Sequence, residues 1–479
     1  MTRQSDTAPE YSIANLTSVE QNLLALVPDE EQRSVLYREL LRKHGVEPPY
    51  TDLSVAENVL TYEYLSENVF KGLPALPEGY TRYHTPYGTD ELRDKMATRL
   101  GQSFGVTVDP NDVFGTAGVS SALQSIALGL QQPLPMRVQG PVPVPAGSTV
   151  LLPAPFWQGF HWSFEQVPKL RCVPVNLTAD GPEKFQLTLE DLKRTYKCTK
   201  ETKYPAKLLV LTNPHNPLGV NYDKPLLESI YEWALRETDM HIISDEMYCH
   251  SQRIGAEPEF VSALKLKATN SDPERRERVH VVWGFAKDFG LSGFRAGFVI
   301  SKSKYVQNVM YGDGERHPLS WFTPFDSLKH FYILPIIGEK GEIWNGVMDR
   351  YKGCLTESFD AAAKVLRENG IKFFNSDSKS NANHAQFFWL DLREFLPYVS
   401  PRDSASALFN SRSPGDPDPE QTLAECILTK AHVKILTGTT LTCEWKGYFR
   451  LCFTAFEKQK VVEAVTKMCE YLKSLSPGS

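Results

Sequence analysis

Val279-His280-Val281-Val282-Trp283-Gly284-Phe285-Ala286-Lys287-Asp288-Phe289-Gly290-Leu291-Ser292-Gly293-Phe294-Arg295 passes from an apolar, strand-like run into a turn punctuated by glycines. A lysine that opens such a turn is placed for covalent chemistry on a carbonyl. Arg295, just beyond the turn, brings a positive charge that could hold an anion. A lone lysine in a strand-to-helix loop is commonly only solvated, so the meaning of Lys287 depends on what precedes it.

Upstream, short apolar runs at Thr149-Val150-Leu151-Leu152 and at 169–175, 207–211 and 241–244 alternate with helical segments. Together with 279–283 they predict a mostly parallel sheet covered by helices on both faces. Residues 90–100 read as a helix, and 115–130 as a glycine-containing turn leading into an Ala/Leu-rich helix. Residues 17–44 carry helical apolar spacing on both sides of Pro28, and 132–147 are crowded with proline and glycine, as befits a surface excursion. Beyond residue 300 the pattern turns helical, with one long helix over 349–369, short strands at 371–374, 386–392 and 448–453, and a mobile loop over 410–420. The expected partition is a large domain over 81–315, with an arm and part of a small α/β domain in 1–80 and the remainder of that domain in 316–479.

Composition bounds the function. A chain of 479 residues can build a large core without covalent staples. Its formal net charge of -6 offers no positive field for a nucleic-acid backbone or an anionic membrane, so neither partner is expected. The eight cysteines are scattered without a CxxC pair, which argues against a disulfide framework and a zinc knuckle and fits a reducing, cytoplasmic setting. No metal site is expected. The first ten residues lack both a signal-peptide core and an arginine-rich amphipathic pattern, and no apolar run is long enough to cross a bilayer.

Several strand ends carry polar groups that belong at a ligand site. Asn213-Pro214-His215-Asn216-Pro217-Leu218-Gly219 follows a strand it cannot continue, because its prolines withhold backbone donors. Ser244-Asp245-Glu246-Met247-Tyr248 puts an acid and a phenol on the same carboxyl edge, where open α/β sheets bind ligands. Gly118, Val119 and Ser120 precede or open a helix whose free amides suit a phosphate. Trp157, in Pro155-Phe156-Trp157-Gln158-Gly159, adds a flat aromatic. Each has an ordinary alternative: Asp245 as a helix cap, Trp157 as core or lid, the asparagine-proline run as a bare turn. There is no Walker A lysine arrangement and no GxGxxG. A lysine, an acid, an amide, a phenol, an aromatic and an anion cup are the parts that hold a phosphorylated pyridine aldehyde.

In that order, Asn-Pro-His-Asn-Pro-Leu-Gly, Ile-Ser-Asp-Glu-Met-Tyr and Ala-Lys-Asp-Phe-Gly-Leu-Ser-Gly-Phe-Arg-Ala-Gly resemble the motifs of fold-type I pyridoxal-phosphate enzymes. Leu53-Ser54-Val55-Ala56-Glu57-Asn58 and Lys446-Gly447-Tyr448-Phe449-Arg450-Leu451-Cys452-Phe453 are similar to the end signatures of the class I aminotransferase branch that contains 1-aminocyclopropane-1-carboxylate synthase. The resemblance covers roughly residues 50–475. It implies a seven-stranded, mostly parallel sheet, pyridoxal 5'-phosphate as cofactor, and a homodimer with shared active sites.

Residue by residue, the resemblance casts Lys287 as the covalent cofactor anchor and carrier of the Cα proton, and Asp245 as the partner of the pyridine nitrogen. Asn216 and Tyr248 would face the ring's phenolic oxygen, and Trp157 would stack on the ring. Gly118, Val119, Ser120 and Arg295 would hold the phosphate, and Arg450 the substrate α-carboxylate. Glu57 is a candidate substrate contact, and Tyr83 or Tyr87 would reach the neighbouring subunit's site. This chain reads Gly284-Phe285-Ala286-Lys287 where the synthase reads Ser-x-Ser-Lys, and Tyr83-His84-Thr85-Pro86-Tyr87-Gly88 where it reads Tyr-His-Gly. The implied reaction acts on an α-amino acid, sulfur-containing on the synthase side. A C–S bond-cleaving lyase, synthase-like or cysteine-conjugate lyase-like, is the leading expectation. A class I aminotransferase and a cofactor-binding homologue with a regulatory role are the alternatives.

Overall fold

The computed structural model describes residues 50–134, 142–177, 185–312, 318–376, 382–400 and 418–475. The helices expected within 17–44, the centre of the 132–147 excursion and most of the 410–420 loop lie outside these residues.

The central sheet has seven strands: β1 (Val113–Thr116), β2 (Thr149–Ala154), β3 (Arg171–Asn176), β4 (Ala206–Thr212), β5 (His241–Asp245), β6 (Val279–Gly284) and β7 (Gly297–Ser301). Their spatial order is β1-β7-β6-β5-β4-β2-β3, and only β7 runs antiparallel to its neighbours. The α/β fold with a mostly parallel seven-stranded sheet is the expected one. Both faces of the sheet are covered, which is why the strands read as continuous apolar runs. Leu208 and Val210 enter one core with helix residues Ala122, Leu123 and Ile126. Leu209 and Leu211 enter the other with Leu227, Ile230 and Tyr231. Alternate residues of one strand thus point to opposite cores.

Two of the seven strands escaped the periodicity reading. β1 has only four residues, and its Gly115, assigned above to a turn, lies inside the strand; a Cβ there would sit 2.8 Å from the Cβ of Phe325. β7 follows directly on the turn after Lys287, and a Cβ on Gly297 would come within 2.6 Å of the Gly118 backbone. In both strands close packing, rather than flexibility, selects glycine.

Helix α1 (Asp90–Phe104) starts at Thr89, whose hydroxyl accepts from the Leu92 amide, and stops at Gly105 in the left-handed region. The glycine-led helix is α2 (Val119–Leu130). The long C-terminal helix, α3 (Glu342–Glu368), starts before the expected boundary. A second, antiparallel sheet joins β8 (Lys372–Phe373), β9 (Phe387–Asp391), β10 (Leu436–Thr437) and β11 (Tyr448–Cys452) in the order β10-β11-β9-β8. Thr51–Asp52 pairs in parallel with Val433–Lys434, tying the described N-terminal segment to the C-terminal region. The 132–147 excursion is anchored by Val144, which is buried in the core. Among the described residues no helix is long and apolar enough to cross a membrane.

Candidate active site

Strand β6 ends at Gly284, and a single helical turn, Phe285–Asp288, carries Lys287. Gly284 is backed against the next strand: a Cβ there would stand 2.7 Å from the Ala296 carbonyl oxygen, so the serine of the synthase pattern would force a local shift. The Lys287 amine is partly buried and donates to the Ala56 carbonyl at 2.5 Å. Desolvation lowers its pKa, while Glu57 acts in the opposite direction. The same lysine's carbonyl accepts from Asn58 Nδ2 at 2.8 Å and from Gln386 Nε2 at 3.0 Å. A desolvated amine of lowered pKa is the state in which lysine attacks carbonyl carbon.

Asp245 closes β5 in register with Thr212 on β4 and Val282 on β6, so three parallel strands deliver it to the carboxyl edge. Burial pushes its carboxyl up to about 7. The groups that offset this are weakly placed: the Met247 amide at 3.3 Å and the Thr212 hydroxyl at 3.4 Å. A buried acid with two long contacts retains capacity for a cationic or N–H partner. Tyr248 is buried three residues on, packed edge-to-face on Phe387, and burial raises its phenol well above the ordinary value.

The two asparagines of the proline-bounded loop have different partners. Asn213 is occupied locally, accepting from the Tyr222 amide and donating to the Val261 carbonyl. Asn216 accepts from Arg450 Nη1 at 2.9 Å. Arg450, on β11, is buried, lies over the Phe387 ring and donates through Nη2 to the Ser54 carbonyl at 2.6 Å. Its Nε has no hydrogen-bond partner among the described residues. A buried guanidinium facing one neutral amide and one carbonyl, with a donor to spare, suits an incoming carboxylate.

Gly118 and Arg295, two of the residues expected at the phosphate, lie together. Gly118, at φ 91, precedes α2, and a Cβ on it would lie 2.7 Å from Arg295 Nη2. Arg295 itself is left-handed at φ 53 and donates to the Ser292 carbonyl. The N-terminus of α2 and the Arg295 guanidinium are therefore adjacent, a pairing of helix amides and positive charge that suits a phosphate. Ser120 lies in the first turn and is partly buried. Trp157 follows β2, and its indole rests against Gly159, where any side chain would collide with the ring.

Glu57 accepts from the Ser292 hydroxyl at 2.6 Å and acts electrostatically on Lys287. The two tyrosine candidates separate clearly. Tyr87 packs edge-to-face on Tyr311, with Arg93 over its ring. Tyr83 is 91% exposed, touching Trp321. Lys287, Glu57, Asn216 and Arg450 are thus linked by hydrogen bonds or electrostatic fields, and Asp245 and Tyr248 share their sheet edge; Tyr83 stands apart. Sequence reading did not single out Gln386, Asn58 or Ser292. Asn58 and Ser292 lay within the recognised motifs, whereas Gln386 had no local signal beyond its place at the start of a predicted strand.

Residues 51–334 match the family model described as "Aminotransferase class I and II". The probable inactive 1-aminocyclopropane-1-carboxylate synthase-like protein 2 of Mus musculus is 28% identical over 88% of this chain and 66% of its own length. The 1-aminocyclopropane-1-carboxylate synthase of Glycine max is 25% identical over 88% of this chain and 80% of its own. Among solved structures, aspartate aminotransferase from Rhizobium meliloti superposes with a TM-score of 0.67 at 16% identity, covering 94% of this chain and 98% of that one. A Thermus thermophilus aspartate aminotransferase double mutant gives 0.65 at 20% identity with the same coverage.

Proposed function

The chain belongs to the aminotransferase class I and II family, and from that premise we propose that it is a pyridoxal 5'-phosphate-dependent C–S lyase acting on a sulfur-containing α-amino acid. The cofactor fits the residues present: a desolvated lysine amine, a buried under-partnered acid, and a glycine-arginine cradle that a single Cβ would fill. When bound, it supplies an electron sink for the charge left on the substrate Cα after its proton departs.

In this reading Lys287 holds the cofactor covalently and later moves the Cα proton with its Nζ. Asp245 holds a proton at the ring nitrogen. Asn216 and Tyr248 orient the ring's phenolic oxygen, and Trp157 covers one ring face. Gly118, Val119, Ser120 and Arg295 take the phosphate. Arg450 grips the substrate carboxylate through its fork, and its unpartnered Nε is the donor left to complete that grip. Glu57, bonded to Ser292 and close enough to act on the Lys287 amine, is the group placed to sense the substrate's cationic end. The substrate would be an amino acid whose sulfur substituent leaves, as the likeness to the synthase branch suggests.

The large domain over 81–315 would carry the cofactor, with an arm and part of the small domain in 1–80 and the remainder of that domain in 316–479. We place the homodimer contact at the exposed aromatics Tyr83, Trp321 and Phe322, the last 81% exposed. Tyr83 is then the tyrosine that crosses to the other subunit.

The observation that carries this reading is the lowered, desolvated amine of Lys287 on the same sheet edge as Asp245. Its test is product analysis by mass spectrometry after incubation with S-adenosylmethionine, cysteine conjugates, and amino-acid/2-oxo-acid pairs. Release of a thiol or of methylthioadenosine is expected. A stoichiometric 2-oxo acid with aminated cofactor, and no sulfur product, would instead establish the aminotransferase reading. The name of the mouse relative makes a third outcome specific, namely cofactor bound at Lys287 without turnover of any of these substrates.

A further inference from the structure

Behind Lys287 lies a closed set of buried polar groups that the proposed chemistry does not use. Asp288, the next residue, points into the protein and is fully buried. Its Oδ1 accepts from the Ser251 hydroxyl at 2.7 Å. Its Oδ2 accepts from Trp283 Nε1 at 3.0 Å, the His250 amide at 3.2 Å and the Cys249 thiol at 3.7 Å. Ser251 Oγ lies 2.8 Å from the Tyr351 hydroxyl, and Tyr351 accepts from Gln386 Nε2 at 2.7 Å. The same Gln386 nitrogen donates to the Lys287 carbonyl.

Four donors converge on Asp288; burial pushes its carboxyl up to about 7, and above that pH the ionised form sets the direction of every bond. A carboxylate only accepts, so the Ser251 proton points to it and the Ser251 oxygen takes the proton of Tyr351. The Tyr351 oxygen then takes one amide proton of Gln386, and the other goes to Lys287. Gln386 Oε1 has no partner among the described residues, yet turning the amide over would set that oxygen against the Lys287 carbonyl, two acceptors face to face. Tyr351 sits on α3 and Gln386 leads into β9, while Asp288 ends the helical turn after β6 and Ser251 lies in the segment after β5. The chain of bonds therefore joins the central sheet to α3 and to the second sheet and returns to the residue beside its origin.

We propose that Asp288, Ser251, Tyr351 and Gln386 form a positioning relay whose last bond fixes the main chain of Lys287, and with it the direction in which the lysine amine is presented. The inference rests on the reading of Lys287 as the covalent anchor. None of the four is a catalytic residue; each acts through the next.

The test uses Tyr351→Phe, which removes one hydroxyl and keeps the ring, and Gln386→Leu. Cofactor-free protein is treated with an amine-acylating ester over a pH series, and modification of the Lys287 peptide is followed by mass spectrometry beside the thermal midpoint. The relay predicts that the Lys287 modification rate changes by about two- to tenfold in Tyr351→Phe, the equilibrium weight of one hydrogen bond, and by at least as much in Gln386→Leu. In loaded protein, the pH midpoint of the cofactor's absorption band moves in the same order. An unchanged Lys287 rate and band in both variants, with only a lower thermal midpoint, would reduce the network to packing and overturn the proposal. Borohydride trapping in the parent protein tests the anchor reading separately, since failure there leaves the acylation comparison still able to decide the relay.

Discussion

Both edges of the central sheet bury titratable groups, and they differ in how those groups are satisfied. At the amino edge His241 and His280 stack nearly parallel, share a 3.0 Å hydrogen bond, and His280 continues to the Ser301 hydroxyl at 2.8 Å. Burial holds His241 down to about 3 and His280 well below the ordinary value, so both are neutral and close on each other. At the carboxyl edge Asp245 has only long contacts, Arg450 has a spare donor, and Lys287 leans on a backbone oxygen. Burial of titratable groups alone does not make a site. What distinguishes the carboxyl edge is buried capacity left over after all local bonds are counted.

The largest way to break this contrast is Lys287→Ala. Loss of the amine should abolish covalent cofactor attachment and lower turnover by at least about 10²- to 10⁴-fold, the weight of a positioned acid–base group; single-turnover kinetics on the reconstituted variant would read it. A residual rate near the parent's would remove Lys287 from the chemistry.

Next comes Asp245→Asn. The carboxyl's folded pKa of about 7 exceeds its ordinary 3.8, so the fold takes up this proton more readily than the unfolded chain. Its contribution favours the fold below about 4 and is lost as pH rises through about 7, a change of at most about 4 kcal/mol. Cofactor-free Asp245→Asn should therefore gain stability over the parent above neutral pH, in urea melts, while losing cofactor affinity. The amino edge has the opposite slope: His241 stabilises above its ordinary 6.5 and that stability fades as pH falls toward about 3.

A smaller effect is expected from Arg450→Lys, which keeps the charge and discards the fork. The KM for the amino acid should rise roughly tenfold to hundredfold, corresponding to about 1.5–3 kcal/mol for a charge-assisted bond, with kcat less affected. The smallest is His280→Gln, expected to cost about 1 kcal/mol of stability through one lost hydrogen bond and to leave cofactor binding at the opposite edge unchanged by absorption titration. A drop in cofactor affinity in that variant would mean that the two edges are coupled.

The same contrast explains what could be read in the chain before folding. β2, β4, β5 and β6 were legible because both sheet faces are covered and their residues run apolar without a break. β1 and β7 were not, since Gly115 and Gly297 are fixed by atoms of Phe325 and Gly118 that lie far off in sequence. Lys287, Asp245 and Asn216 stood at recognisable strand ends. Their partners were hidden by distance along the chain: Asn216 and Arg450 are 234 positions apart, and Arg450 and Ser54 are 396. Pairings of that kind leave no periodic trace, and the relay through Gln386 belongs to the same class. What separates Tyr83 from Tyr87 is exposure, which no motif carries.

The claim that the carboxyl edge is a cofactor site built around one lysine is met most directly by reduction and mapping. Protein loaded with pyridoxal 5'-phosphate is treated with borohydride, digested, and its peptides analysed by mass spectrometry. A phosphopyridoxyl group on the peptide containing Lys287, and its loss in Lys287→Ala, is the predicted result. No adduct, or one spread over other lysines with Lys287 unmodified, would contradict the account.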